Sequence, residues 1–105
     1  MKNEFVLNKI KSLSAELAGI GVNVFLFGSQ ARGDSNKNSD WDLLILLDKD
    51  TIDESDYKKF FDPYTELSWE VGQSINPQLY TKKDWQRISF TPFYHNVEQD
   101  KIALA

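Results

Sequence analysis

Gly28-Ser29-Gln30-Ala31-Arg32-Gly33, followed after six residues by Asp40-Trp41-Asp42-Leu43, is the stretch whose reading decides the fold. Upstream of it, Val22-Asn23-Val24-Phe25-Leu26-Phe27 is a β-branched and aromatic run, which predicts a strand that stops abruptly at Gly28-Ser29. Downstream, Gly33 to Ser39 is polar and turn-rich. Asp40 through Asp48 then predicts a second strand, and its nearly continuous apolar half, Leu43 to Leu47, implies burial on both faces. Position matters here as much as residue type. A glycine at a strand exit lets backbone N–H groups approach a ligand closely, Ser29 adds a hydroxyl, and amides at such a turn suit phosphate oxygens. Asp40 and Asp42 stand two apart on a strand, so both carboxylates point to one face and can share hard cations. Paired carboxylates facing a phosphate cradle indicate two-metal phosphoryl chemistry.

Working outward, Val6, Ile10, Leu13 and Leu17 fall on one helical stripe, with Asn3 as the expected cap and Gly19 as the stop. On the other side, Tyr57, Phe60, Phe61, Tyr64, Leu67 and Val71 keep a helical period that Pro63 interrupts. A restart capped by Asp62, with Pro63 as first residue and Gly72 as terminator, is expected. Ser74 to Tyr80 alternates, and Pro77 makes it an edge strand. Thr81-Lys82-Lys83-Asp84 and Thr91-Pro92 then open two short helices that are expected to close the chain. The expected architecture is α/β (α+β): a short mixed sheet with helices packed on it, in a single domain over residues 1–105.

Composition narrows the classes. With 105 residues, 12 Lys+Arg and 16 Asp+Glu, the net charge is −4, and without a basic block general nucleic-acid binding has little electrostatic support. No cysteine is present, which removes disulfides, thiolate metal sites and cysteine nucleophiles. The longest apolar run, Leu43 to Leu47, is too short to span a bilayer, and a soluble cytoplasmic chain is expected. Lys37, Lys82, Lys83 and Arg87 read as solvated charge, and His95 as a helix-surface residue. Trp41 and Trp85 are expected in the core, and Trp69 partly exposed as a mark of a partner surface. Arg32 sits about one turn from the cradle, where it can meet a phosphate or pair with a carboxylate.

Together, Gly28-Ser29-x-Ala31-Arg32-Gly33 and Ser39-Asp40-x-Asp42-Leu43 resemble the signature of the minimal nucleotidyltransferases in the polymerase-β-like superfamily. The resemblance implies that Gly28 and Ser29, with Arg32, bind the nucleoside triphosphate, ATP first among candidates, and that Asp40 and Asp42 bind Mg²⁺. A nucleotidyl group would move to an acceptor. It also implies a third carboxylate on a later strand, and here the sequence departs from the pattern: that strand offers Asn76 and Gln78. Glu66 and Glu70 lie on the preceding helix, Glu70 being the substitute candidate. Free-standing members of this family are paired with a small helical HEPN-domain toxin, which they neutralise by adenylating a tyrosine. That antitoxin role is the first expectation. A catalytically silent module that occludes the same partner by contact is the second.

Overall fold

The computed structural model describes residues 2–19, 21–36 and 38–105, so Lys37 lies outside the described residues. The elements follow in the order α1 (Lys2–Leu17), β1 (Val22–Phe27), α2 (Ser29–Arg32), β2 (Trp41–Leu47), α3 (Glu54–Phe60), α4 (Asp62–Val71), β3 (Ile75–Thr81), α5 (Lys82–Arg87), α6 (Pro92–Asp100) and β4 (Ile102–Ala103). The sheet order is β3-β2-β1-β4. β1 is antiparallel to both β2 and β4, while β2 and β3 run parallel, joined by the α3–α4 crossover. The sheet is therefore mixed, as expected, and β3 with its Pro77 is an edge strand.

Alternation along β2 sends Trp41, Leu43, Ile45 and Leu47 to one face, where they meet Val6 and Ile10 of α1 and Tyr64 and Leu67 of α4. Leu44 and Leu46 go to the other face, against Trp85 of α5 and Val97 of α6. Helices on both faces explain why the central strand is an unbroken apolar run. Trp41 and Trp85 are 2% and 1% exposed and belong to the core, whereas Trp69 is 80% exposed.

Local chemistry sets the boundaries. Pro63 does force a restart, but the cap is Phe61 and Asp62 is already helical, one residue earlier than the sequence suggests. Phe61 holds an αR backbone and passes directly from α3 into α4, which leaves no extended position for an aspartate cap. Gly72 ends α4 at φ 70. Asn3 lies within α1 and is not its cap. The chain also does not finish on two helices, because β4 follows α6 and pairs with Phe25 and Leu26. Thr91 caps α6, and buried Thr81 caps α5 by accepting from the Asp84 N–H at 3.0 Å. Removing that acceptor leaves a partly buried helix N–H without its cap, so Thr81→Ala is expected to cost about 1–2 kcal/mol in urea unfolding, with Thr81→Ser retaining most of the cap.

Candidate active site

The register places Phe27 of β1, Asp42 of β2 and Asn76 of β3 side by side. All three project to the sheet face that carries Leu44 and Leu46 further along. Two bonds fix the start of this row: the Trp41 backbone N–H donates to Ser74 O at 2.9 Å, and its indole Nε1 donates to Gln73 Oε1 at 2.8 Å. Ser68 Oγ holds the entry to β3 by donating to Gln73 O and accepting from the Ile75 N–H. The alternation expected over Ser74 to Tyr80 is present, and it sets Asn76 on the side of Asp42. Asn76 Nδ2 donates to Asp40 Oδ2 at 3.0 Å and to Asp42 Oδ1 at 3.4 Å, using one N–H for each.

Asp42 is half-buried at this junction. Burial pushes its carboxyl above the usual range, the Asn76 hydrogen bond pulls it back, and the charge of Asp40 adds to the rise. An exposed acid, Asp40, and a half-buried one, Asp42, thus stand on one side, bridged by an amide. Among the described residues no group of three His, Cys, Asp or Glu side chains converges on a metal-sized space. The third place is held by an amide, which offers a neutral oxygen or N–H donors but no negative charge.

Gly28 flanks Asp42 on the β1 side. Its φ of 79 lies where side chains are rarely tolerated, and a Cβ there would stand 2.6 Å from Asp42 Oδ2. The missing side chain makes room for the catalytic-candidate carboxylate as well as freeing the backbone. Gly28 also acts as the N-cap of α2, so Ser29 is a helical residue and its hydroxyl is not a cap. The Ala31 and Arg32 amides bond back to Gly28 O at 3.0 Å, which leaves the earlier amides of Ser29 and Gln30 ahead of the first helical bond. Gly33 at φ 84 ends the turn. The polar stretch beyond it is organised by its own side chains: Ser39 Oγ accepts from the Asn36 N–H, Asn36 Oδ1 accepts from the Asn38 N–H, and Gln30 Nε2 donates to Ser39 O.

Two expected site residues make their contacts away from Asp40, Asp42 and Asn76. Glu70 lines a groove between α1 and α4 with Lys9, Glu16 and Glu66, on elements that pack on the opposite sheet face. Arg32 meets neither Asp40 nor Asp42. Its Nη1 donates to Asp100 Oδ2 at 2.7 Å and its Nε to Asp34 Oδ2 at 3.1 Å. Asp100 and Gln73 were not foreseen, since neither sits in a periodic or motif position and both contacts depend on tertiary structure.

Over residues 6–100 the chain matches the nucleotidyltransferase domain family, and it belongs to that family. Its fold is that of solved toxin–antitoxin complexes. A chain of a toxin–antitoxin crystal structure with AMP-PNP aligns at a TM-score of 0.59 and 21% identity, covering 93% of this chain and 71% of that one. A chain from the complex of the tri-AMPylated Shewanella oneidensis HEPN toxin with its MNT antitoxin gives 0.55 and 17%, covering 98% and 71%. A toxin–antitoxin MntA–HpeT mutant with two Asp-to-Glu changes, two positions apart, gives 0.57 and 18%, covering 93% and 70%. No curated protein matched the chain. Among the described residues no helix is long and apolar enough to cross a membrane.

Proposed function

We propose that this chain is a Mg²⁺-dependent nucleotidyltransferase that moves adenylate from ATP to a small helical HEPN-domain toxin in the cytoplasm, acting as its antitoxin. The observation that carries the reading is the convergence of Asp40, Asp42 and Asn76 beside the positive-φ turn of Gly28. The neighbours lend support: one holds AMP-PNP, another contains an AMPylated HEPN toxin, and the altered aspartates of the third have the spacing of Asp40 and Asp42.

The donor set fits a hard cation, because the half-buried Asp42 carboxylate, with the Asp40 charge beside it, gains from a shared positive charge. Asp40 and Asp42 would hold Mg²⁺, which when bound neutralises charge on the transferring phosphoryl group and on the departing pyrophosphate. This chain's own groups do the positioning. The amides of Ser29 and Gln30 and the Ser29 hydroxyl hold the polyphosphate tail at the end of β1, while Asn76 keeps both carboxylates aimed to one side. The acceptor hydroxyl oxygen bonds to the α-phosphorus as the bond to pyrophosphate breaks. Its proton passes to water, because position 76 offers an amide and no carboxylate to receive it. That single feature favours the second reading, a binding module that neutralises the partner by contact with little transfer.

The deciding experiment mixes the chain, the HEPN-domain product of an adjacent gene, Mg²⁺ and ATP labelled at the α-phosphate. Label on a partner tyrosine supports the transferase, a stable complex without label supports the contact module, and absence of Mg²⁺·ATP binding overturns the nucleotide reading. Within it, Ser29→Ala is expected to weaken ATP by roughly 1.5–3 kcal/mol in calorimetry, the value of one hydrogen bond to a charged oxygen, while AMP changes little. Equal losses for ATP and AMP would remove Ser29 from the polyphosphate.

A further inference from the structure

Helix α2 carries the phosphate loop, yet it has four residues and none of them is buried. So short a helix does not hold itself together. Ala31 rests against the core with one methyl group, and the bonds from Gln30 to Ser39 and from Arg32 to Asp34 end in the same polar loop. The remaining bond, Arg32 to Asp100, runs 68 residues away to the end of α6. α6 is a firm anchor: Val97 is 2% exposed, Trp85 Nε1 donates to Glu98 at 2.8 Å, and β4 follows at once to pair with β1.

Asp100 is an unusual final residue. A negative charge at a helix C-terminus opposes the macrodipole, and this side chain is only 14% exposed. The neighbouring cation does not relieve it, because Lys101 pairs with Glu98 at 2.8 Å. Its cation is Arg32, at 2.7 Å.

We propose that Arg32 is a positioning residue, whose guanidinium fastens α2 to α6 through Asp100 instead of reaching the triphosphate. This rests on the reading of Gly28–Ser29 as the nucleotide cradle, and it reassigns the arginine of the signature from ligand contact to support. Both roles make Arg32 matter for ATP, but only the latch makes Asp100 matter in the same direction. If the guanidinium met a phosphate, freeing it from Asp100 would leave binding intact or strengthen it.

The test uses Arg32→Ala, Asp100→Asn and the double variant, with Mg²⁺·ATP and AMP in calorimetry and hydrogen exchange at residues 29–33. The latch predicts that each single variant weakens ATP by about fivefold, the scale of a partly screened ion pair. AMP is unchanged, the double variant is no worse than either single one, and amide exchange at 29–33 is faster. Asp100→Asn binding ATP as well as or better than wild type, while Arg32→Ala loses affinity, overturns it. If wild type binds no ATP, the nucleotide reading fails and exchange judges the latch alone: unchanged protection at 29–33 in both variants refutes it.

Discussion

Asn76→Asp is expected to raise adenylate transfer by at least tenfold and by up to the ~10²–10⁴-fold of a positioned base. The register leaves little freedom in this expectation. Asn76 lies beside Asp42, and its Nδ2 reaches both Asp40 and Asp42, so an aspartate there puts a third carboxylate where the amide now bridges two. The bridge is lost at the same time, and three carboxylates then repel in the metal-free protein. Thermal stability should therefore fall without Mg²⁺ and recover with it, a readout independent of turnover. Gln78→Asp is the control, because Gln78 pairs with Leu44 one step further along the same face and should give no gain. Rapid transfer by wild type, unaffected by Asn76→Asp and abolished by Glu70→Gln, would refute the strand-borne third position.

Asp42→Asn should act in the opposite direction on function and improve the metal-free fold. One of two carboxylates for the cation disappears, so Mg²⁺-dependent ATP binding is expected to fall by about a hundredfold or more in calorimetry, the scale of ~3 kcal/mol. The substitution also relieves a half-buried charge and its repulsion with Asp40, worth about 1 kcal/mol of stability at neutral pH. The sign of the pH dependence follows. Because burial raises the Asp42 carboxyl, the folded chain holds that proton more tightly than the unfolded one does. Its contribution is most favourable at low pH and declines as pH rises from the ordinary carboxylate range through the raised value. The asparagine variant should lack that decline in metal-free denaturation curves. Undiminished Mg²⁺·ATP binding by Asp42→Asn would remove it from the metal site.

The heart of this site was legible in the chain because it rests on local rules. Two-residue spacing at the start of β2 puts Asp40, just before the strand, and Asp42 on one side, a glycine after an apolar run marks the exit of β1, and Pro77 confines β3 to an edge. The same alternation aimed Asn76 correctly, since its phase relative to Ile75 and Pro77 depends only on neighbours. What escaped depended on tertiary partners or on lengths below any period. β4 has two residues, too few for a pattern, and is defined by its bonds to β1. Asp100 reads as one more surface acid until the fold brings Arg32 to it. The close fit of Gly28 against the Asp42 carboxylate is likewise invisible without the register of β1 on β2.

The β1–β4 pairing and the contact of Asp100 with α2 also impose an order of assembly. Asp40, Asp42 and Asn76 all precede Thr81, so the residues that bring the acidic cluster together are made before α6 and β4 leave the ribosome. On the proposed latch, α2 gains its tie to α6 only when Asp100 is in place, a contact between residues 68 apart in sequence. On the same proposal, a chain lacking residues 100–103 gathers its acidic pair while the Gly28–Ser29 turn stays loosely held. On the proposed latch, the hold on the Gly28–Ser29 turn is coupled to the docking of α6 and β4, so a segment distant in sequence governs a local grip.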